Sequence, residues 1–335
     1  MRGFGMKISG FSFLRNGSKL HYPILESIRS ALPLVDEFVI ALGDSDPDDN
    51  TRERIEAIGS DKIVLFDTVW DLEKYPRGME HAHQTDLAKE RCSGDWLLYL
   101  QGDEVMHEDD LEILRASCER WLDAPEVEGM LFDYLHFWGD YEHAHDSHAW
   151  YKQEIRLVRN DPKIHSFRSA QSFRRIPNFD GVSYREKEGT EKLTVVHSGA
   201  RIFHYGWVRP PAAMQKTRVY FTNNHKGSEV AQTMERTESV DFDYGPLASV
   251  PRFEGSHPAV MQGAMHALDW QDQLYERGDP GRSTPRHKHE SVKYRFLTGI
   301  ENTFFGGRHL FASRNYEMLP GVSLPKKRNP PTPRK

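Results

Sequence analysis

Cysteine is scarce in this chain, and long apolar runs are missing. Two cysteines, Cys92 and Cys118, cannot build a disulfide framework or a cysteine metal cluster, and such low usage is typical of a reducing compartment. No apolar run approaches the ~18 residues of a membrane-spanning helix. The opening segment MRGFGMKISGFSF lacks the apolar core and cleavage site of a secretory signal. We therefore expect a cytoplasmic protein without a transmembrane segment, although peripheral membrane contact stays open.

The chain also lacks an excess of basic charge. Its 44 Lys and Arg residues stand against 50 Asp and Glu residues, a formal net charge of −6. A nucleic-acid binder needs a basic face to contact phosphates, so we expect no nucleic-acid partner. Aromatic residues reach 11%, with seven Trp. Aromatic side chains in loops often form the floor of sugar or base sites, although core packing is the commoner role of any one of them.

Strand-like and helix-like segments alternate through the first half of the chain. Short apolar runs predict strands, and apolar residues at helical spacing predict helices between them. The predicted strands are residues 7–14, 37–42, 62–66 and 96–100, and the predicted helices are residues 22–32, 51–58, 82–92 and 109–122. This alternation is typical of a parallel α/β sheet, whose strand C-termini share the edge where ligands bind.

The pattern changes after about residue 129. Longer strands are predicted at residues 130–138 and 150–159, a strand pair within residues 193–204, and helices at residues 258–277 and 291–304. We divide the chain into residues 1–128 and 129–225 as two halves of one domain, residues 226–322 as a mainly helical extension, and residues 323–335 as a basic, proline-rich tail. Such a composition predicts disorder in the tail.

Acidic residues follow the second and fourth predicted strands. The second strand runs into GDSDPDDNT (residues 43–51), and the fourth, WLLYL, runs into QGDE (residues 101–104). Carboxylates at this edge can bind sugar hydroxyls or hold a divalent cation that neutralises phosphate. Taken singly, the first group is explained as a turn and helix cap, and the second as acids that begin a helix. Their occurrence at one edge favours a ligand site.

The order of these blocks resembles the opening of family-two-type glycosyltransferases with the GT-A fold. The segment LRNGSKLHYPILESIRSALPLVDEFVIALGDSDPDDNT is similar to that family's strand and helix leading to an acidic turn closed by Thr. The segment HQTDLAKERCSGDWLLYLQGDE is similar to its helix, Gly-Asp-Trp, and apolar strand ending in Asp-x-Asp. The resemblance covers about residues 7–105. It implies a GT-A-like, doubly wound mixed α/β sheet with a C-terminal mixed α+β extension.

The resemblance also implies roles for single residues. Asp44 and Asp46 match the acidic turn that recognises the nucleoside of a nucleotide-sugar donor, and Arg15 is assigned to the donor site with them. Asp103 matches the last Asp of Asp-x-Asp, which binds the metal on the donor diphosphate. Glu104 matches the acid that often follows it. The implied cofactor is Mg²⁺ or Mn²⁺.

Gln101 departs from the family pattern because it stands where the first Asp is expected. That Asp commonly contacts the ribose or, through water, the metal. An amide still hydrogen-bonds a hydroxyl but brings no charge to a metal. We keep Gln101 as a donor-binding residue, and the change weakens the expectation of metal binding more than that of donor binding.

The segment ARIFHYGWVRPPAAMQK is expected to complete the site. His204 ends a predicted strand and is assigned as a metal ligand, since a late His often completes the metal site in the resembled fold. A lone His at a strand end is as often structural. Arg209 and Lys216 follow and are assigned to the donor phosphates, with solvated surface residues as the alternative.

Two carboxylates are candidates for the base that deprotonates an acceptor hydroxyl. Asp140 lies in HFWGDYEH, among aromatic residues suited to stack on a sugar ring, and is preferred. Glu154 lies on the next strand and has ion pairing with Arg156 or Arg159 as its alternative role.

A histidine-rich loop, HAHDSHAW (residues 143–150), follows this region. Its His-x-His spacing occurs in zinc sites. A polar hairpin loop whose ligands never converge is the commoner structure for such a segment, and we predict that outcome here.

The predicted function is metal-assisted, inverting transfer of a sugar from a UDP- or GDP-sugar to a hydroxyl. The acceptor is a glycan, a lipid-linked sugar or a small molecule. Two alternatives remain. A nucleotidyltransferase shares a similar sheet but needs a glycine-rich basic loop after the first strand, where LRNGSKLHYP has one Gly. A sugar-nucleotide-binding protein without turnover is kept open by Gln101.

Overall fold

A mixed β-sheet of twelve strands, with helices on both faces, organises the chain. The computed structural model describes residues 5–278, 286–307, 309–310, 314–322 and 331. The strands are β1 (Ile8–Leu14), β2 (Glu37–Leu42), β3 (Ile63–Asp67), β4 (Trp96–Tyr99), β5 (Glu104–Met106), β6 (Gly129–Trp138), β7 (Ala144–His145), β8 (Gln153–Arg159), β9 (Ile164–Phe167), β10 (Ser172–Arg175), β11 (Glu191–Trp207) and β12 (Tyr316–Met318). The helices are α1 (Ile24–Ala31), α2 (Thr51–Glu56), α3 (Met79–Lys89), α4 (Leu111–Arg120), α5 (Pro211–Lys226), α6 (Ser228–Thr237), α7 (Gln262–His266) and α8 (Val292–Phe304).

The strand order explains why the sheet is mixed. Strands run β3-β2-β1-β4-β8-β6-β11-β10-β9 across the sheet. The first four are parallel to one another, β8 lies antiparallel between β4 and β6, and β6 is parallel to β11. Helices form the crossover connections between the parallel strands, because parallel strands cannot be joined by a tight hairpin. The predicted mixed α/β fold class is confirmed.

Strand β4 shows why an unbroken apolar run forms the centre of the sheet. Trp96 and Leu98 pack into one core cluster with residues of α1 and α4, whereas Leu97 and Tyr99 pack into another with residues of α3. Side chains alternate between the faces of a strand, and helices cover both faces here. Every residue from 96 to 100 is therefore buried, and the run ends where the chain leaves the sheet at the cleft edge.

Several predicted elements of the second half differ from the structure. The strand pair predicted within residues 193–204 is one long strand, β11, whose register against β6 shifts at two places. The helix predicted at residues 258–277 is replaced by short turns and α7, and Trp270, which follows α7, is buried and donates its indole N–H to the Gly139 carbonyl 3.0 Å away. Helices α5 and α6 and the short strand β5 were not predicted.

The single sheet extends across the predicted segment boundaries. Strand β8 lies between β4 and β6, so residues on both sides of the predicted boundary at residue 128 share one sheet. Strand β12, from the predicted extension, pairs with β11. The predicted tail lies outside the described residues apart from Pro331. Within the described ranges, no helix has the length and apolarity to cross a bilayer.

Arg159 closes the connection between α4 and β6. Its guanidinium and Nε donate to the carbonyl oxygens of Leu122 at 2.8 Å, Ala124 at 2.8 Å and Val127 at 2.9 Å, and also to that of Trp121. The same group stacks 3.9 Å from the ring centre of Trp96. One side chain thereby donates to four carbonyls of the connection that follows α4, of which those of Trp121 and Ala124 also accept backbone N–H groups.

We expect Arg159→Met to lower the free energy of unfolding by about 2–3 kcal/mol, because several half-buried carbonyls lose their donor. Arg159→Lys is expected to recover little, since one ammonium cannot replace the planar fork. Urea unfolding followed by circular dichroism measures both. Arg91→Met is the matched control: Arg91 is exposed, stacks on Phe66 and donates to one carbonyl. An equal loss in both variants would contradict this role.

Candidate functional site

A cleft opens at the edge of the sheet where β1 and β4 end. Its cavity volume is about 150 Å³, and the cleft is open to solvent on one side. The lining residues come from the ends of β1 and β4, the segments after β1 and β3, helices α3 and α5, and the turn before β10. They are Phe13, Leu14, Arg15, Leu20, Tyr22, Trp70, His81, Gln101, Gly102, Asp103, Ser169, Tyr220 and Phe221. This is the ligand-binding edge that the strand alternation predicts.

Aromatic rings form one wall of the cleft. His81 stacks on Phe13 with ring centres 5.5 Å apart, and Trp70 and Phe221 contact its ring at 5.2 and 5.8 Å. Gly43, at the end of β2, makes room for Trp70, because a Cβ there would lie 2.4 Å from the indole nitrogen. Among the described residues, no acceptor lies within hydrogen-bond distance of the buried indole N–H of Trp70. The wall thus offers flat stacking surface and one donor to a ligand.

Burial keeps the wall uncharged. It lowers the pKa of His81 to about 3, with His225 adding to the shift. His81 is held by a 2.9 Å hydrogen bond between its Nδ1 and the Ser169 hydroxyl. A neutral stacked imidazole suits an aromatic base or ring better than it suits a phosphate.

The acidic turn after β2 borders this wall. Arg15 lies 3.3 Å from Asp44 and stacks 5.2 Å from the ring centre of Trp70. The backbone N–H of Trp70 donates to the Asp44 carboxylate at 3.1 Å. Asp46 lies farther out, where Lys19 donates to its carboxylate at 2.7 Å. The structure therefore brings Arg15 and Asp44 to the cleft wall, and it pairs Asp46 with a surface lysine.

Gln101 and Asp103 lie on the floor, where the chain leaves β4. The Gln101 amide N–H₂ donates to the Ala170 carbonyl at 3.0 Å, which fixes the side chain in the cleft lining. The Asp103 carbonyl accepts from the backbone N–H of Tyr205 at 2.9 Å. This bond ties the floor to the end of β11 and brings Asp103 beside His204.

His204 presents one ring nitrogen to Asp103. Its Nε2 lies 3.7 Å from Asp103 Oδ2, and its Nδ1 lies 3.1 Å from His136 Nδ1. The other nitrogen of His136, Nε2, lies 2.8 Å from the Tyr151 carbonyl, which can only accept, so Nε2 carries the proton of His136. Burial lowers the pKa of His136 well below its usual value. His136 Nδ1 is then an acceptor for His204 Nδ1–H, and His204 Nε2 keeps its lone pair toward Asp103.

Asp103 Oδ2 and His204 Nε2 together fit a divalent cation. They are one oxygen and one imidazole nitrogen, both directed into the same space. Gly206 keeps that space open: a Cβ there would lie 2.6 Å from Asp103 Oδ2 and 2.7 Å from His204 Nε2. A mixed N and O donor pair suits Mn²⁺, whereas Mg²⁺ prefers oxygen ligands throughout.

Arg209 lies behind the floor and is 1% exposed. Its guanidinium carbon lies 4.1 Å from the ring centre of Tyr22, and its Nη2 lies 3.8 Å from Asp103 Oδ2, beyond hydrogen-bond distance. Within the described residues, Nε and Nη2 have no hydrogen-bond acceptor. A buried guanidinium with unsatisfied donors is costly without an anion to accept them. The structure thus places Arg209 beside Asp103, and its assignment to the donor phosphates stays a prediction, while Lys216 is exposed on α5 outside the cleft lining.

The structure corrects the assignment of Glu104 as a metal ligand. Glu104 is fully buried away from the cleft lining, in β5. Its oxygens accept two bonds from Arg156 at 2.8 Å, one from the Tyr134 hydroxyl at 2.7 Å and one from the Gln101 N–H at 3.1 Å. No lone pair is left for an ion. Burial opposes ionisation, but Arg156 outweighs it and lowers the pKa of Glu104.

Neither predicted base lines the cleft. The Asp140 carboxylate is 4% exposed as a residue and accepts from the N–H groups of Glu142 and His143 and from the His143 ring. It is a turn residue, so its assignment as the base is corrected. Glu154 is buried on β8, and burial raises its pKa to about 7, a value suited to a base, but it is not among the lining residues.

Sequence reasoning missed several residues of the site. Trp70 forms part of the aromatic wall, Tyr22 contacts Arg209, and His136 orients His204. None of the three was singled out as part of a motif. Gly206 was visible in the sequence as the residue two places after His204, but its role depends on the approach of Asp103 from another strand. The available signal was the high aromatic content, which indicates a stacking site without locating it.

Comparisons with known proteins give remote structural similarity. No protein-family model matches the sequence, and no curated protein matches it. The structure is similar to the crystal structure of S. aureus TarS 1–349 in complex with UDP-GlcNAc, with a TM-score of 0.33 and 14% identity over 68% of this chain and 70% of that chain. It is also similar to glucosyl-3-phosphoglycerate synthase from Mycobacterium tuberculosis in complex with Mn²⁺, UDP and phosphoglyceric acid. There the TM-score is 0.26, with 20% identity over 39% of this chain and 44% of that chain. The function proposed below rests on the cleft residues.

We expect Gly206→Ala to weaken Mn²⁺ binding by tenfold or more while the chain stays folded, because the added methyl group occupies the space between Asp103 and His204. Calorimetric Mn²⁺ titration measures the affinity, and circular dichroism checks the fold. Gly263→Ala is the matched control, since a Cβ there meets nothing within 4 Å. Unchanged Mn²⁺ affinity in Gly206→Ala would place the ion elsewhere.

We expect Glu104→Gln to lower the free energy of unfolding by about 3–5 kcal/mol, because it leaves the guanidinium of Arg156 buried without its counter-charge. Glu56→Gln, which removes an exposed ion pair with Arg52, should cost under about 1 kcal/mol. The folded-state pKa of Glu104 lies below the unfolded value of about 4.3. The ionic contribution is therefore present above that pH and lost as pH falls through the folded pKa. Urea unfolding at neutral and acidic pH should show the gap between wild type and Glu104→Gln narrowing on acidification.

Proposed function

We propose that this protein is a GT-A-like glycosyltransferase that moves a sugar from a UDP- or GDP-sugar to an acceptor hydroxyl. The observation that carries the proposal is the group formed by Asp103, His204 and Arg209. A carboxylate, an imidazole and a buried guanidinium with unused donors meet where an aromatic-walled cleft reaches the ends of β1 and β4. This combination suits a diphosphate carried by a planar base.

The parts of a nucleotide-sugar can be assigned along the cleft. The base stacks against the wall of Phe13, His81 and Trp70, and the free Trp70 N–H offers it a donor. Arg15 and Asp44, at the border of the wall, suit the ribose hydroxyls. The diphosphate is then placed at Asp103 on the floor, with Arg209 behind it, where Nη2 lies 3.8 Å from Asp103 Oδ2.

Asp103 and His204 would hold Mn²⁺ or Mg²⁺, which supplies charge neutralisation to the departing diphosphate when bound. Arg209 binds the same diphosphate directly and remains cationic throughout. His136 holds His204 in the tautomer that directs Nε2 to the ion. In the transfer, the acceptor oxygen bonds to the anomeric carbon as the bond from that carbon to the diphosphate oxygen breaks, and the hydroxyl proton leaves to a base.

A second candidate function is donor binding without turnover. Two observations favour it: Gln101 stands where a carboxylate is expected, and neither Asp140 nor Glu154 lines the cleft. Among the described lining residues, Asp103 is the one carboxylate, and it faces His204. A binding protein needs the wall, Arg209 and the ion site, but it does not need a base.

We expect one of UDP, GDP, CDP or dTDP to raise the melting temperature by several degrees, and Mn²⁺ to enlarge the rise, since a ligand stabilises the folded state that binds it. Asp103→Ala should abolish the Mn²⁺ effect. Asp123→Ala, an exposed Asp in the connection after α4, should retain it. A thermal-shift screen measures all of these. No response to any nucleotide would overturn both the transferase and the binding proposal.

We expect Arg209→Lys to lower affinity for the responsive nucleoside diphosphate about tenfold or more, because a lysine loses the two-pronged contact with phosphate. Isothermal titration measures this affinity. Release of nucleoside diphosphate from the cognate nucleotide-sugar, assayed with a panel of hydroxyl acceptors, then separates the two candidates. Acceptor-dependent release supports transfer, and tight binding with no release across the panel supports the binding protein.

A further inference from the structure

Three side chains outside the cleft converge on one small space. His148 lies in the loop between β7 and β8, Glu301 lies in α8, and His309 follows that helix. One ligand-type atom from each lies within 4.8 Å of the other two. The structure therefore brings one residue of the histidine-rich loop together with two residues more than a hundred and fifty positions away, while the other polar residues of that loop are not part of the cluster.

The three side chains are largely buried, so it matters which of their polar atoms have a hydrogen-bond partner and which do not. The Glu301 side chain is fully buried, and those of His309 and His148 are 11% and 18% exposed. Glu301 Oε1 accepts from His148 Nδ1 and from the backbone N–H of Leu310, both at 2.6 Å. Among the described residues, Glu301 Oε2 and His309 Nε2 have no hydrogen-bond partner, and they lie 3.8 Å apart. A buried oxygen and nitrogen facing each other unsatisfied are costly unless something lies between them.

We propose that His148, Glu301 and His309 bind a Zn²⁺ ion. Two imidazoles and one carboxylate are a zinc donor set, whereas Mg²⁺ and Ca²⁺ prefer oxygen ligands throughout. Zinc bonds of about 2.0–2.2 Å place tetrahedral ligand atoms roughly 3.3–3.5 Å apart. Glu301 Oε1 lies 2.6 Å from His148 Nδ1, Glu301 Oε2 lies 3.8 Å from His309 Nε2, and one ligand atom from each residue lies within 4.8 Å of the others. Zinc binding therefore requires side-chain adjustments, and water takes the fourth position on the more exposed His148 side.

The ion would fasten α8 to the loop that precedes β8. His148 already binds α8 through its backbone N–H, which donates to the Thr298 hydroxyl at 2.9 Å. Lys152, after the loop, donates to the Gly307 carbonyl at 2.7 Å. Between them lies Tyr151, whose carbonyl holds His136 and so the orientation of His204. The zinc site is therefore a positioning site for the loop behind the cleft, and it does not depend on the function proposed above.

The test uses the full chain, stripped with EDTA and titrated with ZnCl₂ alone by calorimetry, with bound zinc counted by elemental analysis. In the Asp103→Asn variant, which lacks the candidate ion site of the cleft, we expect one Zn²⁺ per chain and a rise of several degrees in melting temperature. His148→Ala and His309→Ala should each weaken zinc binding by more than the ~10–100-fold typical of a lost second-shell partner. His266→Ala, an exposed histidine in α7, is the matched control and should bind zinc as the wild type does.

Two further measurements keep the result unambiguous. Asp103→Asn should retain the zinc, which separates this site from the ion site in the cleft. Co²⁺ substituted into the wild type should give the visible absorption bands of a tetrahedral nitrogen and oxygen site, so the proposal is testable even where a variant fails to fold. The proposal would be overturned if the protein bound no stoichiometric zinc, or if zinc affinity were unchanged in both His148→Ala and His309→Ala. The three side chains would then form only a hydrogen-bonded cluster.

Discussion

The buried ion pair between Glu104 and Arg156 is the interaction on which the candidate site depends. Arg156 on β8 holds both carboxylate oxygens of Glu104, directly after the turn that presents Gln101 and Asp103. The Tyr134 hydroxyl adds a third contact from β6, and the Gln101 N–H adds a fourth. In a low-dielectric interior such a pair is tolerated because every oxygen is satisfied. It fixes the floor of the cleft against the strands that carry the remaining ligands.

From this pair, a chain of contacts reaches the ion site. The Tyr134 ring stacks on His136 with centres 5.2 Å apart, and His136 sets the tautomer of His204. His204 Nε2 in turn lies 3.7 Å from Asp103 Oδ2, and Asp103 directly precedes Glu104. The network of contacts therefore returns to the residue beside the ion pair. Each member is orientated by the next, so the donors that face the cleft are preorganised by groups that never touch a ligand. The proposed zinc site would stabilise the same network of contacts through Tyr151, whose carbonyl holds His136.

The sequence placed some side chains in the site where the structure also has them, and others where it does not. Asp103, His204 and Arg209 were expected in one site, and the structure brings them together: Asp103 follows β4, His204 lies near the end of β11 and Arg209 follows β11. Glu104 and Asp140 were predicted from residue type and position in the same way, yet one is saturated by Arg156 and the other by its own turn. Adjacent residues at a strand end point to opposite sides, so a motif cannot tell which of two acids faces the ligand.

The sequence by itself determined the alternating strands and helices, an α/β sheet and the edge at which acidic residues collect, since these follow from local periodicity and from the handedness of crossovers. That the sheet is mixed was implied by the family resemblance and not by this alternation, which indicates a parallel sheet. Only the tertiary structure decided which donors are unsatisfied. The free donors of Arg209, the lone pair of His204 and the meeting of His148 with Glu301 and His309 depend on contacts between residues far apart in the chain. Chemical function at this edge follows from those contacts, because a polar group is available to a ligand only where the fold leaves it without a partner.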